Sequence, residues 1–183
     1  MNKRKIKVGI VTIDDYTNYG NRLQNYALTK LLENEGISVI NGIRVFTKEG
    51  WVRSTPKGVK RILKRLVPFF VIKNRLYKEQ LLYNEDLKVR EKRFIEFTNN
   101  YTTIMDAIVV PSYREALNLL NKAGINFFIS GSDQVWNPYY AGRVYQLLAF
   151  APVRQRLSFS ASFGVDTIPG DREWFYKQEL SNY

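Results

Sequence analysis

The chain contains neither cysteine nor histidine. The lack of cysteine excludes disulfides, zinc sites built on thiolates and a cysteine nucleophile. The lack of histidine removes the side chain that most often serves as a general base and as a metal ligand. Any acid–base chemistry of this chain must therefore fall to aspartate, glutamate, lysine or tyrosine.

Long apolar runs are absent too, because none approaches the roughly 18 residues of a membrane-spanning helix. The basic start, Lys3-Arg4-Lys5, resembles the beginning of a signal peptide, but the apolar run after it is short and ends at Asp14-Asp15. That pattern indicates a strand. With 183 residues, 45% of them hydrophobic, the chain can bury the core of one domain. We expect a cytoplasmic protein.

The net charge of +11 is concentrated in one segment. Residues 44–93 hold 15 Lys and Arg against 5 Asp and Glu. Within this segment, residues 57–67 have the spacing of an amphipathic helix, and four apolar residues follow Pro68. Two interpretations remain open: a core-packed helix with a solvated basic face, or a peripheral contact of residues 57–72 with an anionic membrane. We do not expect nucleic acid as a partner, since no zinc-finger spacing or ribonucleoprotein pattern is present.

The first third of the chain predicts a strand–helix–strand unit. Residues 6–13 are apolar and β-branched, which is typical of a strand covered on both faces. A helix is predicted over residues 22–35, with Leu23, Ala27 and Leu31 on one stripe, and Gly36 is placed to end it. Residues 37–46 predict the second strand. The three elements have the length of a βαβ unit.

The remainder continues the alternation of helices and strands. Helices are predicted over residues 87–97, about 113–120 and 171–180, and strands over residues 126–130, 145–150 and 157–164. The last strand alternates apolar residues with serines. We therefore predict an α/β fold, a Rossmann-like parallel sheet flanked by helices. It spans residues 1–170, with a basic helical insertion at about 47–100, and residues 171–183 begin a connection to a further domain.

The most informative loop is residues 131–138, GSDQVWNP, which directly follows a buried strand. It brings a hydroxyl, a carboxylate, two amides and an indole into one turn. Open α/β sheets bind ligands at the carboxyl ends of their strands, so this loop is a candidate site. The alternative is structural: Trp136 anchors the loop to the core, while Ser132 and Asp133 cap the next segment.

A second loop, residues 14–21, joins the first strand to the first helix. It has a single glycine, so it is not the dinucleotide fingerprint with three glycines. The helix start after it still favours an anion. The alternative interpretation of Asn18, Tyr19 and Gly20 is a turn with an N-cap.

Three blocks of this chain resemble the polysaccharide pyruvyl transferase family. Residues 18–28, NYGNRLQNYAL, are similar to its Asn-Tyr-Gly-x-x-Leu-Gln-x-Tyr-Ala-Leu signature. Residues 131–137 are similar to its Gly-Ser-Asp-Gln-x-Trp loop, and residues 162–164 to its Ser-Phe-Gly strand end. The chain departs from the family at Asn126, where Asp is frequent, and at Phe159-Ser160, where Tyr-Ala is frequent.

The resemblance implies the N-terminal, acceptor-side domain of a two-domain GT-B-like enzyme. Such an enzyme transfers pyruvate from phosphoenolpyruvate, its donor substrate, to a sugar of a cell-surface glycan, with no metal or bound cofactor expected. Ketal formation needs groups that orient and deprotonate sugar hydroxyls, and Asp133 is the expected orienting group or base. The expected substrate-binding residues are Asn18, Tyr19, Gly20, Arg22, Gln24, Ser132, Gln134, Trp136, Asn137 and Ser162.

The donor-binding arginines and catalytic histidine of the family lie in a second domain. We therefore expect this chain to be a truncated form that is inactive alone. Its expected partner is a glycan or a lipid-linked saccharide acceptor. Two alternatives stay open: a GT-B-like glycosyltransferase domain, and a non-catalytic remnant that binds anionic membrane or glycan.

Overall fold

In a computed structural model of the protein, the structure describes residues 6–13, 15, 16, 18–48, 85–139, 144–181 and 183. The predictions for residues 57–72 lie outside these ranges. Numbered within them, the elements are β1 (Lys7–Val11), α1 (Tyr19–Asn34), β2 (Ser38–Ile40), β3 (Val45–Thr47), α2 (Glu85–Tyr101), β4 (Ile108–Val110), α3 (Tyr113–Lys122), β5 (Phe127–Asp133), β6 (Arg156–Ala161) and α4 (Gly170–Leu180). Short 3₁₀ helices lie at Val144–Leu147 and Val153–Gln155.

The main sheet has four strands in the order β2-β1-β5-β6, and every neighbouring pair is parallel. In the register, Val11 at the end of β1 pairs with Ser130 of β5. Gly131 of β5 pairs with Phe159 of β6. The prediction of an α/β fold with a parallel sheet flanked by helices is confirmed, and the arrangement is compatible with a Rossmann-like fold.

The βαβ unit forms as predicted from β1, α1 and β2. Asn18 caps α1, because its side-chain oxygen accepts a hydrogen bond from the Asn21 amide at 3.1 Å. The helix stops before Gly36, whose φ of 75° is the left-handed conformation that glycine tolerates best. Leu28 packs from α1 onto Val8 and Ile10, so this helix covers one face of the sheet.

The prediction of one strand over residues 37–46 is wrong. The segment divides into β2 and β3, and β3 pairs with β4 in a separate two-stranded parallel sheet. Asn41 lies at the division, where its amide nitrogen donates to the Thr103 carbonyl and its side chain to Thr29. Asn41 and Gly42 are poor strand formers, and the polar contacts of Asn41 turn the chain away from the main sheet.

The prediction of a strand over residues 145–150 is also wrong. A 3₁₀ helix begins there and a turn follows it, and all six residues are buried. A short apolar run that is surrounded on all sides has no periodicity that distinguishes a strand from a buried helical turn. This segment fills the second face of the sheet together with α3 and α4.

The last helix, α4, is part of the same core. Phe175 and Tyr176 are buried against residues of α3 and the 3₁₀ segment. Glu179 is also buried and lies 3.6 Å from Arg156 of β6, which forms an ion pair between the helix and the edge strand. Residues 171–180 therefore pack as an element of the domain that contains the main sheet.

The burial of α1 differs from its apolar pattern. Leu23, Ala27 and Leu31, which share the predicted stripe, are exposed, while the helix buries polar residues instead. In α2, Phe94 is buried and packs edge-on against Tyr19 at 4.5 Å between ring centroids. None of the helices in the described ranges has the length and apolarity of a membrane span.

Candidate functional site

The three motif blocks meet at one edge of the sheet. Because β1, β5 and β6 are adjacent and parallel, their carboxyl ends lie side by side. Residues 18–22 follow β1, residues 131–137 follow or end β5, and residues 162–164 follow β6. The loop after β1 and the loop after β5 therefore share one edge of the sheet.

Backbone hydrogen bonds join the β5 and β6 blocks directly. The Trp136 amide donates to the Ser162 carbonyl at 3.1 Å, and the Ser162 amide donates to the Asp133 carbonyl at 2.9 Å. The Ser162 residue is exposed, so its hydroxyl lies at the surface of this corner. We refer to residues 130–139 and 161–164 as the β5–β6 corner.

Two glycines of the corner are required by close approach. Gly131 has a φ of 143°, and a Cβ there would lie 1.9 Å from the Phe159 carbonyl oxygen. Gly164 has a φ of 62°, and a Cβ there would lie 2.3 Å from Cδ of Gln134. At both positions a side chain would clash with a neighbouring group, which explains why glycine is required there.

Trp136 is an anchor of the corner. Its indole Nε1 donates to the Ser130 hydroxyl at 3.0 Å, and that hydroxyl donates to the Gln146 carbonyl at 2.5 Å. The ring packs against Phe163 and Tyr183, with centroid separations of 5.8 and 5.5 Å. This geometry favours the structural interpretation of Trp136, in which the indole positions the loop.

The amides of Gln134 and Asn137 hold the turn together. The Asn137 side chain donates to Oε1 of Gln134 at 3.2 Å, while its own oxygen accepts from the Tyr139 amide at 2.9 Å. Arg172 of α4 donates to the Pro138 carbonyl and fixes the far side of the turn. The polar atoms of Asn137 are thus committed to the loop itself.

Asp133 differs from these neighbours. It has a φ of 76°, a left-handed conformation that aspartate tolerates better than most residues. Its carbonyl accepts two backbone hydrogen bonds, from Val135 and Ser162. In the part of the chain that the structure describes, its partly exposed carboxylate makes no hydrogen bond or ion pair. This carboxylate is the group that the corner offers to a ligand.

The β1–α1 block presents mainly Tyr19 and Gln24 to solvent. Tyr19 is 69% exposed, although one edge of its ring contacts Phe94. Gln24 is also exposed. Asn18 is the N-cap, as its alternative interpretation proposed, and Gly20 lies in the first turn of α1. The side-chain oxygen of Asn18 is therefore already engaged by the helix.

Arg22 is buried below this surface. Its guanidinium donates to the Ile13 carbonyl at 2.9 Å and to the side chain of Asn21, and it lies over the Tyr16 ring at 4.7 Å. A buried guanidinium holds the end of β1 and the start of α1 together. The structure therefore assigns Arg22 first to the shape of the β1–α1 loop.

A buried polar layer between α1 and the carboxyl ends of β1 and β2 was not predicted. Its members are nine-tenths or more buried: Thr12, Asn21, Arg22, Asn25, Thr29, Asn41 and Thr98. The signal was present in the sequence, because Asn21, Asn25 and Thr29 recur at every fourth position of α1. That row follows the helix face of Leu28, which packs on the sheet.

No group of three or more Asp or Glu side chains able to hold a metal ion occurs among the described residues. Burial raises the pKa of Tyr183, which contacts Trp136, and hydrogen bonding to Ser130 offsets part of that rise. Burial likewise raises the pKa of Tyr176 to about 12, against the opposing effect of Arg172. Both tyrosines are therefore protonated near neutral pH.

Comparison of the chain with protein-family models, with curated proteins and with solved structures found no match. The function must therefore be argued from the residues of the site and their arrangement.

Proposed function

We propose that this chain is the acceptor-side domain of a polysaccharide pyruvyl transferase with a GT-B-like, two-domain build. The proposal rests on the resemblance of three sequence blocks and on one structural observation: all three blocks lie at the same edge of the parallel sheet. This edge is where open α/β sheets bind their ligands.

In this proposal the acceptor is a sugar of a cell-surface glycan or of its lipid-linked precursor. The Asp133 carboxylate accepts a hydrogen bond from a sugar hydroxyl and orients it, or removes its proton as the ketal forms. Tyr19, which is mostly exposed, supplies an aromatic face for the sugar. Gln24 and Ser162, which are exposed, supply further polar contacts. The side chain of Ser132 lies outside the described part of the chain.

The other predicted site residues have supporting roles in this account. Trp136, Asn137 and Gln134 form the platform that fixes Asp133, because their side chains bond within the corner. Asn18 and Gly20 begin the helix, and Arg22 fixes its loop. Replacing these residues should change the shape of the site before it changes any direct contact.

Saccharide binding to the isotopically labelled chain tests this proposal. We expect amide resonances of residues 18–22, 131–137 and 162–164 to shift together when an acceptor saccharide is titrated. Phosphoenolpyruvate alone should not shift them, because the donor-binding residues of the family lie in its second domain. Shifts of these resonances with a nucleotide sugar would favour a glycosyltransferase.

A turnover assay gives the complementary test. The chain by itself should release no phosphate from phosphoenolpyruvate in the presence of the saccharide that it binds. Measured turnover would show that the 183 residues already contain the donor site, and the proposed division of roles would be wrong. Saccharide-induced shifts confined to residues far from the three blocks would contradict the proposed site itself.

The proposed acceptor also bears on location. A lipid-linked saccharide is presented at the inner face of the membrane, and the basic segment of residues 57–72 supplies charge for a peripheral contact there. Flotation with vesicles that contain anionic lipid, against neutral vesicles, tests this part separately. Binding to neither kind of vesicle would remove the membrane contact from the proposal.

A further inference from the structure

The outer edge of β6 is the least covered part of the main sheet. β6 is the last strand in the order, so one of its edges pairs with β5, and no strand of the described residues lies on the other. All of residues 157–160 are exposed. Leu157 and Phe159 among them are 47% and 43% exposed. The unpaired backbone groups of such an edge are a template for a further strand.

The sequence of β6 does not protect this edge. Folded proteins usually block an exposed edge with lysine, with proline or by keeping the strand very short. Residues 157–165, LSFSASFGV, contain no charged residue and no proline. By contrast, β2 at the opposite edge of the main sheet has only three residues, and its central Val39 is buried. Of these two edge strands, β6 is therefore the one that is open to pairing.

The backbone of β6 directs its free groups outward at Ser158. The Phe159 carbonyl faces β5, because a Cβ on Gly131 would collide with its oxygen. Successive residues of a strand direct their backbone groups to opposite sides, so the N–H and C=O of Ser158 point away from β5. Regular strand geometry ends two residues later at Ser160, whose φ is 48°. Ser158 is thus the centre of the usable edge.

The side chains select a register for the added strand. Leu157 pairs with Ile129, which packs on the α1 side of the sheet, and Phe159 lies two residues further on the same face. When Ser158 lies opposite Ser158 of an antiparallel second copy, Leu157 of each copy lies opposite Phe159 of the other. Such aliphatic–aromatic cross-strand pairs stabilise a sheet. In the same register the two Ser158 residues exchange both backbone hydrogen bonds.

We propose that the chain forms a two-fold dimer in which the β6 strands of two copies pair antiparallel about Ser158. This pairing joins two four-stranded sheets into one continuous sheet. Identical edges that meet about a two-fold axis form a closed pair, whereas β6 added to β2 of another copy would repeat without closing. Arg156 comes opposite Ser160, and its charge is already paired with Glu179, so the register opposes no like charges. The dimer does not depend on the proposed function, because it uses the outer edge of β6.

Sedimentation equilibrium over a wide range of concentrations tests the dimer. One strand pair buries less than the roughly 1,200 Å² of a stable complex, so we expect a dissociation constant on the order of 10–100 µM. Leu157→Lys combined with Phe159→Lys places like charges opposite each other twice and should raise that constant at least about tenfold. Val153→Lys, at an exposed residue before β6, is the control and should leave it unchanged.

A second double variant tests the register. Leu157→Lys combined with Phe159→Glu removes the same apolar surface as the double lysine variant. It places opposite charges across the interface twice, so its dissociation constant should stay within about threefold of wild type. A dimer that both double variants weaken equally would overturn the proposal, because residues 157 and 159 would then not be opposite each other.

Cross-linking gives an independent readout, because the chain has no cysteine of its own. Ser158→Cys should form a disulfide-linked dimer on mild oxidation, since the two Cα atoms would lie about 5.5 Å apart. Ser160→Cys, at another exposed serine of β6, should not, since its Cα atoms would lie roughly 14 Å apart. Equal cross-linking of the two variants would overturn the proposal. So would a wild-type chain that stays monomeric at about ten times the expected dissociation constant.

Discussion

The β5–β6 corner and the β1–α1 loop lie at the same edge of the sheet but satisfy their polar groups differently. In the corner, the side chains of Trp136 and Asn137 bond to Ser130, Gln134 and the Tyr139 amide. Beneath the loop, Nδ2 of Asn21 and Nδ2 of Asn25 are buried and have no hydrogen-bond partner in the described part of the chain. One region completes its own hydrogen bonds, while the other leaves them incomplete.

This difference in hydrogen bonding shows that a polar residue of a motif can either hold the loop in shape or offer a group to a ligand. Polar residues of the corner build a rigid platform, and of them Asp133 alone keeps a carboxylate without a partner among the described residues. The polar layer below α1 is buried, and its carboxamides and hydroxyls include both donors and acceptors. A motif rich in amides and hydroxyls can therefore lie at a binding region although most of its side chains form hydrogen bonds to other residues of the protein.

The largest predicted effect on stability is at Gly131, and it tests whether the β5–β6 corner is rigid. Gly131→Ala should destabilise the chain by about 4 kcal/mol or prevent folding, because the new Cβ meets the Phe159 carbonyl and the β5–β6 ladder must separate. Urea denaturation measures the change. Gly170→Ala, at a glycine with no atom within 4 Å of the added Cβ, is the control and should stay close to wild type. A stable Gly131→Ala protein would show that the corner is not rigid.

Ser130 should give the next largest effect. Ser130→Ala removes the fully buried hydroxyl that accepts from the Trp136 indole and donates to the Gln146 carbonyl. We expect a loss of about 2–3 kcal/mol in the free energy of unfolding. Ser158→Ala, at an exposed serine of β6, should change it by less than about 0.5 kcal/mol. Equal effects of the two substitutions would contradict the conclusion that Trp136 anchors the corner through Ser130.

Gly164 and Gln134 provide a sharper test of packing within the corner. Gly164→Ala should cost about 2 kcal/mol, part from its left-handed φ and part from the clash with Gln134. In a Gln134→Ala background only the conformational part remains, so the cost should fall to about 1 kcal/mol. The coupling comes from a double-mutant cycle. Additive effects would mean that the two side chains do not restrict each other.

The smallest predicted effect concerns alkaline pH. Tyr176 packs on Phe163 of the corner at 5.7 Å, and burial raises its pKa from 10.0 to about 12. Because this pKa is higher in the folded state than in the unfolded state, Tyr176 contributes stability that is fully present below pH 10. That contribution is lost as the pH rises toward 12. Between neutral pH and pH 11, the free energy of unfolding should therefore fall by about 1.4 kcal/mol less in Tyr176→Phe than in wild type. Tyr139→Phe, at an exposed position, is the control; unchanged alkaline behaviour of Tyr176→Phe would place Tyr176 outside the buried core.

The main sheet and its edge could be predicted because β1 and β5 are short, apolar and bounded by turn residues. The division at Asn41 could not, since it depends on bonds to Thr29 and Thr103 that are distant in sequence. The roles of Trp136 and Asn137 were ambiguous for the same reason. From sequence alone, a polar side chain beside a strand end looks the same whether its partner is a ligand or another residue of the loop.

The claim that most needs testing is that the Asp133 carboxylate is the ligand-facing group of the corner. Calorimetric titration of the best-binding saccharide should show at least about tenfold weaker affinity for Asp133→Asn, because a charge-assisted hydrogen bond is lost. Asp166→Asn, an exposed carboxylate beyond the Gly164 turn, should bind as wild type does. Wild-type affinity in Asp133→Asn, with its fold intact, would contradict the account.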